Sequence, residues 1–234
     1  MRFSIVTLFP HLIESYFSDS ILHRAIEQGL IGVDFVNPRD FSPHRFAKTD
    51  DYQVGGGAGL VLEPLALSNA LDFVKKKNPK THIIFLTPCA KLFSQNDAKC
   101  LSKKSHITLV CGRYEGFDER LIELYADEVF SIGDFILTGG EIAALCLCDS
   151  ISRQVEGVLG NSDSLQGESY EEFLLESPNF TKPHNFKNLL IPSEYSKGNH
   201  AKIHSLKLKA SEAKTRFHRL DLYIRYKQRL KDEK

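Results

Sequence analysis

Residues 108–141 open with Thr108-Leu109-Val110-Cys111-Gly112-Arg113-Tyr114-Glu115-Gly116-Phe117-Asp118-Glu119-Arg120 and close with Phe130-Ser131-Ile132-Gly133-Asp134-Phe135-Ile136-Leu137-Thr138-Gly139-Gly140-Glu141. Two glycine-punctuated turns therefore sit one short amphipathic helix apart, that helix being expected over residues 118–125. Each turn follows an apolar, β-rich run (107–111 and 129–132), which is the layout of loops at the carboxyl ends of buried parallel strands. Ligands of α/β sheets bind at that edge. Glycine lets main chain approach a ligand closely, so Gly112, Gly116, Gly133, Gly139 and Gly140 together point to a small molecule lying against backbone. For any one of them a tight turn is the plainer reading.

The flanking chain continues the alternation of strands and helices. Residues 2–8 read as a first strand broken by Pro10, and Leu12, Ile13, Tyr16 and Phe17 as one helix. Ser20 is a candidate N-cap for a second helix that stops at Gly29, with a strand over 31–36. Pro64–Lys77 has helical spacing, with Leu65, Leu71 and Val74 expected inward and its lysines at the carboxyl end, where they suit the helix dipole. A strand over 81–86 runs into Thr87-Pro88, a third loop on the ligand side, and Ser94 caps a helix to about Leu101. A helix over 140–151 follows the second glycine turn. Such alternation implies an α/β fold with a mainly parallel sheet. Residues 37–59, with Asp50, Asp51 and glycines at 55, 56, 57 and 59, show almost no apolar periodicity. A loop that long inside a domain is usually functional or disordered.

Net charge is zero, but its distribution is bipolar: from Lys197 to Lys234 there are twelve Lys or Arg against four Asp or Glu. Basic helices, expected over 199–208 and 211–229, are a phosphate-neutralising surface. The chain is expected to comprise an α/β domain over 1–158, a polar linker over 159–172 and a small basic helical domain over 173–234. No run approaches the roughly 20 apolar residues of a membrane span, and Met1-Arg2-Phe3-Ser4-Ile5-Val6 is strand-like, unlike a signal peptide. The expectation is a cytoplasmic protein. Five cysteines, three of them in apolar runs, are expected as reduced thiols and not as metal ligands. Nucleotide chemistry of the commoner kinds is disfavoured: the first strand runs into Phe9-Pro10 and not a Gly-x-Gly-x-x-Gly turn, and no Walker lysine follows the glycines.

The motifs 112–116 and 132–141, with Phe9-Pro10, Asn37-Pro38-Arg39-Asp40-Phe41, Gly55-Gly56-Gly57 and Gly157-Val158-Leu159-Gly160, closely resemble the bacterial tRNA (guanine-N1)-methyltransferase family, of the SPOUT class, over nearly the whole chain. The resemblance implies a deep trefoil knot in the α/β domain and transfer of a methyl group from S-adenosylmethionine to N1 of the guanosine immediately 3′ of the anticodon. It implies donor contacts from Leu86, Thr87 and Pro88, from Gly112, Arg113, Tyr114, Glu115 and Gly116, and from Ile132, Gly133, Asp134, Phe135, Ile136, Leu137, Gly139 and Gly140. tRNA contacts would come from Asp50, Gly59, Lys197, His200, Lys214 and Arg216. A homodimer is implied as well, and Mg²⁺ is an optional second cofactor. Two departures stand out: Ala58 and Ala143 occupy positions where the family usually has proline.

Guanine N1 carries a proton, so a base must take it as the methyl arrives, and the charge developing toward O6 needs a partner. By resemblance, the base is Glu168, in Glu168-Ser169-Tyr170, where the family has an Asp-Ser-Phe-like segment. The extra methylene adds roughly 1.3 Å of reach. Arg153 matches the family's arginine and offers a planar fork to O6. Two other readings stay open at this stage: a related knotted enzyme acting on another RNA position, and a non-catalytic RNA-binding relative.

Overall fold

In the computed structural model, which describes residues 1–160 and 167–232, the apolar runs of the amino-terminal part become strands β1 (Arg2–Val6), β2 (Gly32–Val36), β5 (His82–Leu92), β6 (His106–Cys111) and β7 (Glu128–Ser131). Their order is β2-β1-β6-β5-β7 and every pairing is parallel. Central β6 is buried along its whole length, as expected of a strand covered on both faces. The chain divides into two compact units, Met1–Ser162 and Asp163–Lys234.

Helices cover both faces of the sheet. On one, Phe3, Ile5, Ile84, Leu109 and Cys111 pack with Leu22 and Ala25 of α1 (Ser20–Glu27), Leu101 of α3 (Gln95–Leu101), and Ala144, Leu147 and Ile151 of α5 (Glu141–Ser152). On the other, Val6, Ile83, Phe85 and Val110 pack with Leu67, Leu71 and Val74 of α2 (Pro64–Lys77) and Leu121 of α4 (Glu119–Tyr125). Each fully buried aliphatic or aromatic side chain contributes about 1.5–3 kcal/mol. The register aligns Leu86 with Cys111 and Leu86 with Phe130. The segments after these three residues therefore emerge at the same sheet edge.

Several elements differ from the sequence reading. Residues 12–17 form not one helix but two 3-10 turns, Pro10–Leu12 and Glu14–Phe17. Asp19, not Ser20, caps α1. Leu65 is exposed, and α2 buries Ala66, Leu67 and Ala70 in addition to Leu71 and Val74. The loop at 37–59 is partly ordered, because β3 (Asp50–Tyr52) and β4 (Leu60–Leu62) pair as an antiparallel hairpin around the glycines. Strand β5 does not end at Leu86: residues 87–90 bulge out and Lys91 and Leu92 pair with β7 again. A bulge re-aims chain at a strand end, and this one turns Thr87-Pro88 toward the edge where the glycine turns lie.

The second unit holds a short hairpin, β8 (Asn185–Phe186) with β9 (Leu189–Leu190), and two helices, α6 (His200–His218) and α7 (Leu220–Asp232). The break between the helices falls at Arg219 and not near residue 210. Ser211 and Thr215 of α6 and Leu222 and Tyr226 of α7 are buried, and Lys227 Nζ lies 2.9 Å from the Glu212 carboxylate. Residues 161–166, within the stretch read as a linker, lie outside the described residues. Among the described residues no helix is long and apolar enough to cross a membrane. All five cysteines are free, and burial holds the Cys111 and Cys148 thiols well above the usual range, where they behave as small core hydrophobes.

Candidate active site

A cavity of about 310 Å³ opens at the carboxyl edge of β5, β6 and β7. Its walls are the three segments predicted to hold the donor: Leu86, Thr87 and Pro88; Gly112, Arg113, Tyr114, Glu115 and Gly116; and Ile132, Gly133, Phe135, Ile136, Leu137, Gly139 and Gly140. Asp134 is the exception, an exposed residue that does not line the cavity. Cys89, Phe117, Phe130, Ser131, Thr138 and Ala143 complete the lining. The bulge in β5 brings Cys89 there, a signal that is not local in sequence, and Ala143, one of the two departures from the family pattern, arrives because α5 starts directly behind the second turn.

The glycines do different physical work. Gly116 has φ +111° with nothing within 4 Å of where a Cβ would stand, so backbone conformation alone requires glycine there. Gly140 has an ordinary helical φ, but a Cβ would lie 2.8 Å from Cys111 Cα and 2.9 Å from Gly112 N. Its N–H donates to Gly112 O at 2.8 Å. The last glycine of the second turn thus lets α5 pack backbone to backbone against the first turn while it lines the cavity.

A polar network that the sequence reading missed fastens those two turns together. Arg113 Nη2 lies 2.9 Å from Glu141 Oε2, Arg113 Nε donates to Glu141 Oε1 at 3.0 Å, and Nη1 donates to Thr138 O at 3.1 Å. Thr7 Oγ1 donates to Glu141 Oε1 at 2.7 Å and accepts from Phe9 N–H at 3.0 Å, while the Arg113 guanidinium lies over the Phe9 ring. Glu141 is buried to 2% exposure, which a carboxylate tolerates only when paired and hydrogen-bonded. Arg113 therefore lines the cavity with its charge already committed inside the protein.

The β3–β4 hairpin is laced to the first turn: Leu62 N–H donates to Gly116 O at 3.0 Å and Glu115 N–H to Leu60 O at 2.9 Å. Gly59, in a left-handed conformation, abuts the Glu115 side chain; a Cβ there would lie 2.6 Å from Oε1. Asp50 pairs in register with Leu62 on the same hairpin and is half-buried, whereas Asp51 forms an exposed ion pair with Lys48 at 2.8 Å. The two tRNA-contact candidates of this unit, Asp50 and Gly59, thus share one hairpin tied to the cavity rim.

Arg153 stands at the carboxyl end of α5, where its N–H is bonded to Asp149 O, and lines a separate groove with Tyr16, Asp19 and Asp149. The hydrogen bond from Tyr16 Oη to Asp149, 2.6 Å long, pushes the Tyr16 pKa up to about 12. In the second unit Glu168 lies in a turn closed by Glu171 N–H to Glu168 O at 3.4 Å and Tyr170 N–H to Leu174 O at 2.8 Å. That turn is fastened to α6 through Leu175, whose N–H donates to Thr215 Oγ1 at 2.8 Å and whose carbonyl accepts from Ser211 Oγ. Lys214 and Arg216 lie on the same helix, His200 is its first residue, and Lys197, just before it, is 3.6 Å from Glu194.

The cavity suits an apolar-bodied ligand with polar edges: its volume is in the range of small-molecule sites, its flanks are aliphatic and aromatic, and its rims are main chain. Among the described residues no group of three His, Cys, Asp or Glu side chains is placed to hold a metal ion.

The chain matches the family model for tRNA (Guanine-1)-methyltransferase TrmD over residues 1–225. It is 59% identical over 230 residues to a tRNA (guanine-N(1)-)-methyltransferase of Sulfurimonas denitrificans, covering 98% of this chain and 100% of the relative. Proteins of the same name from Campylobacter curvus (56% identity, 100% of this chain and 99% of the relative) and Wolinella succinogenes (58%, 97% and 96%) are similarly close. The reaction named for these relatives requires a methyl donor and a tRNA. With a full-length family match and relatives covered end to end, the chain belongs to the tRNA (guanine-1)-methyltransferase TrmD family.

Proposed function

We propose that this chain transfers the methyl group of S-adenosylmethionine to N1 of the guanosine immediately 3′ of the anticodon in tRNA. The observation that carries this reading is the cavity at the shared edge of β5, β6 and β7, built from main chain and apolar side chains in a chain of this family. S-adenosylmethionine supplies an electrophilic methyl on a sulfonium. Main-chain groups of Ile132, Gly133 and Leu137 take the adenine and ribose edges, and the aliphatic walls exclude water from the reacting centre. Glu168 removes the N1 proton as the methyl arrives, and the Arg153 fork meets the charge that develops at O6. Asp50 and Gly59 engage the target nucleotide, while Lys197, His200, Lys214 and Arg216 neutralise tRNA phosphates. Mg²⁺ is an optional second cofactor of the reaction.

Three structural readings belong with this proposal. The α/β unit is of SPOUT type and carries a deep trefoil knot; the backbone contact of Gly140 with Cys111 and Gly112, where chain leaving β7 returns against the β6 turn, supports it. The working form is a homodimer, with Glu168 and the basic helices of one copy serving the cavity of the other. The protein acts in the cytoplasm, where tRNA is processed.

Incubating the protein with methyl-labelled S-adenosylmethionine and a tRNA bearing guanosine 3′ of the anticodon tests the reaction. Nucleoside mass spectrometry should find 1-methylguanosine at that position only. A methyl on a ribose hydroxyl or on another base would replace this reading with a different RNA specificity.

A further inference from the structure

The β8–β9 hairpin has no role in the site described above, yet it is carefully built. Asn185 pairs with Leu190 and Phe186 with Leu189, Ile191 N–H donates to His184 O at 3.1 Å, and Asn188 N–H donates to Asn185 Oδ1 at 3.0 Å. Lys187 and Asn188 form the two-residue turn with φ of 52° and 68°, the left-handed geometry that tight hairpins need and that a lysine adopts only under strain.

All ten residues from 181 to 190 are exposed, including Phe186 at 61%, Leu189 at 74% and Leu190 at 72%. A lone two-stranded hairpin is marginal in water without something to cover it. Its charge says what that is. Residues 177–193 contain no Asp or Glu but hold Lys182, His184 and Lys187, and the ion pairs among the described residues of this unit involve neither lysine. Lys187 Nζ sits 5.6 Å from the centre of the Phe186 ring. An exposed ring beside unneutralised cations, with no acid nearby, is the surface that stacks unpaired bases and holds the phosphates between them.

We propose that this hairpin is a further RNA contact, on which Phe186 and Leu189 receive an unpaired base of the substrate tRNA while Lys182 and Lys187 neutralise adjacent phosphates. The inference rests on tRNA being the substrate, and it adds a stacking element to the phosphate-binding helices.

Filter binding of the transcribed tRNA across a salt series, with Phe186→Ala and with the double variant Lys182→Ser/Lys187→Ser, tests it. Phe186→Ala should weaken binding about ten-fold at every salt concentration, and Phe186→Trp should restore it. The lysine variant should flatten the plot of log affinity against log salt by close to one per lysine. Donor affinity and solution mass should be those of the wild type in each case. Unchanged tRNA affinity in both variants would overturn the proposal, as would a change in solution mass, which would make the hairpin a contact between copies. Methyl transfer is scored separately: a wild-type chain that binds tRNA without methylating it would sink the proposed reaction while the binding series still decides the hairpin.

Discussion

The Arg113 guanidinium and the Glu141 carboxylate meet at 2.9 Å with side chains exposed by only 16% and 3%, and their pairing joins the turn after β6 to the first residue of α5. Removing one partner of a buried pair leaves an uncompensated charge, at about 3–5 kcal/mol. Arg113→Ala should therefore lower the urea midpoint by that equivalent and weaken donor binding, since Thr138 loses its anchor on the cavity wall. Replacing both partners with Arg113→Met and Glu141→Leu should cost less than either single change. Equal losses in single and double variants would mean that the pair acts through something other than its charge.

Gly116 and Gly140 look alike in sequence but should respond differently to one added methyl. Gly116→Ala meets open space and carries only backbone strain, on the order of 1–3 kcal/mol. Gly140→Ala drives a Cβ into the Cys111 and Gly112 backbone, which cannot rotate away as a side chain can. We expect it to cost about 3 kcal/mol or more, the upper end of overpacking, as measured by chemical denaturation. A Gly140→Ala protein as stable as the wild type would show that these two backbones are not in contact.

His106 gives the fold a pH dependence with a definite sign. It is buried at the start of β6, with Nδ1 2.6 Å from Thr81 Oγ1 and Nε2 3.3 Å from Ser4 Oγ, and burial lowers its pKa. Because the folded value is depressed, the unfolded chain takes up a proton first as pH falls. The contribution is complete above the ordinary imidazole value of about 6.5 and is lost as pH drops from there through the folded value. Urea midpoints for the wild type should fall across that window, and His106→Asn should flatten the fall. A wild-type midpoint no more sensitive to pH than that of the variant would rule out this source.

Much of this was legible because it is local or periodic. The apolar runs gave β1, β6 and β7, and the glycine turns after β6 and β7 marked the cavity edge, since parallel strands deliver their carboxyl ends to one side. What was not legible depends on partners far apart in the chain. Thr7 and Glu141 are 134 residues apart, and no spacing rule joins them. The continuation of β5 to Leu92 depends on β7 offering Phe130 and Ser131 to a strand that has already bulged. The hairpin at 50–62 was hidden because its three-residue strands are too short for a period to register and its docking bonds go to Gly116 and Glu115. Arg113 was read as a donor contact from its motif and does line the cavity; that it also clasps two turns together depends on Glu141 and Thr138, which no local pattern joins to it.

A site completed across two copies makes a prediction that a site within one chain does not. Glu168→Gln and Arg153→Ala should each abolish methyl transfer as homodimers. Mixed and allowed to exchange subunits, they should recover activity if the two residues of a working site come from different copies, or stay inactive if one chain supplies both. The mixture is to be assayed by label incorporation into tRNA. No recovery, with exchange demonstrated by mass spectrometry of the intact dimer, would count against the two-copy site.

The proposed function needs the edge of β5, β6 and β7 to cradle the methyl donor. Isothermal titration of S-adenosylmethionine into the purified protein, run beside Ala143→Phe, tests it most directly, because Ala143 lines the cavity and is nearly buried. Saturable binding to the wild type with one donor per chain is expected, with loss of that binding in a variant that still melts cooperatively. Binding of equal strength to both proteins, or none to the wild type, would contradict it.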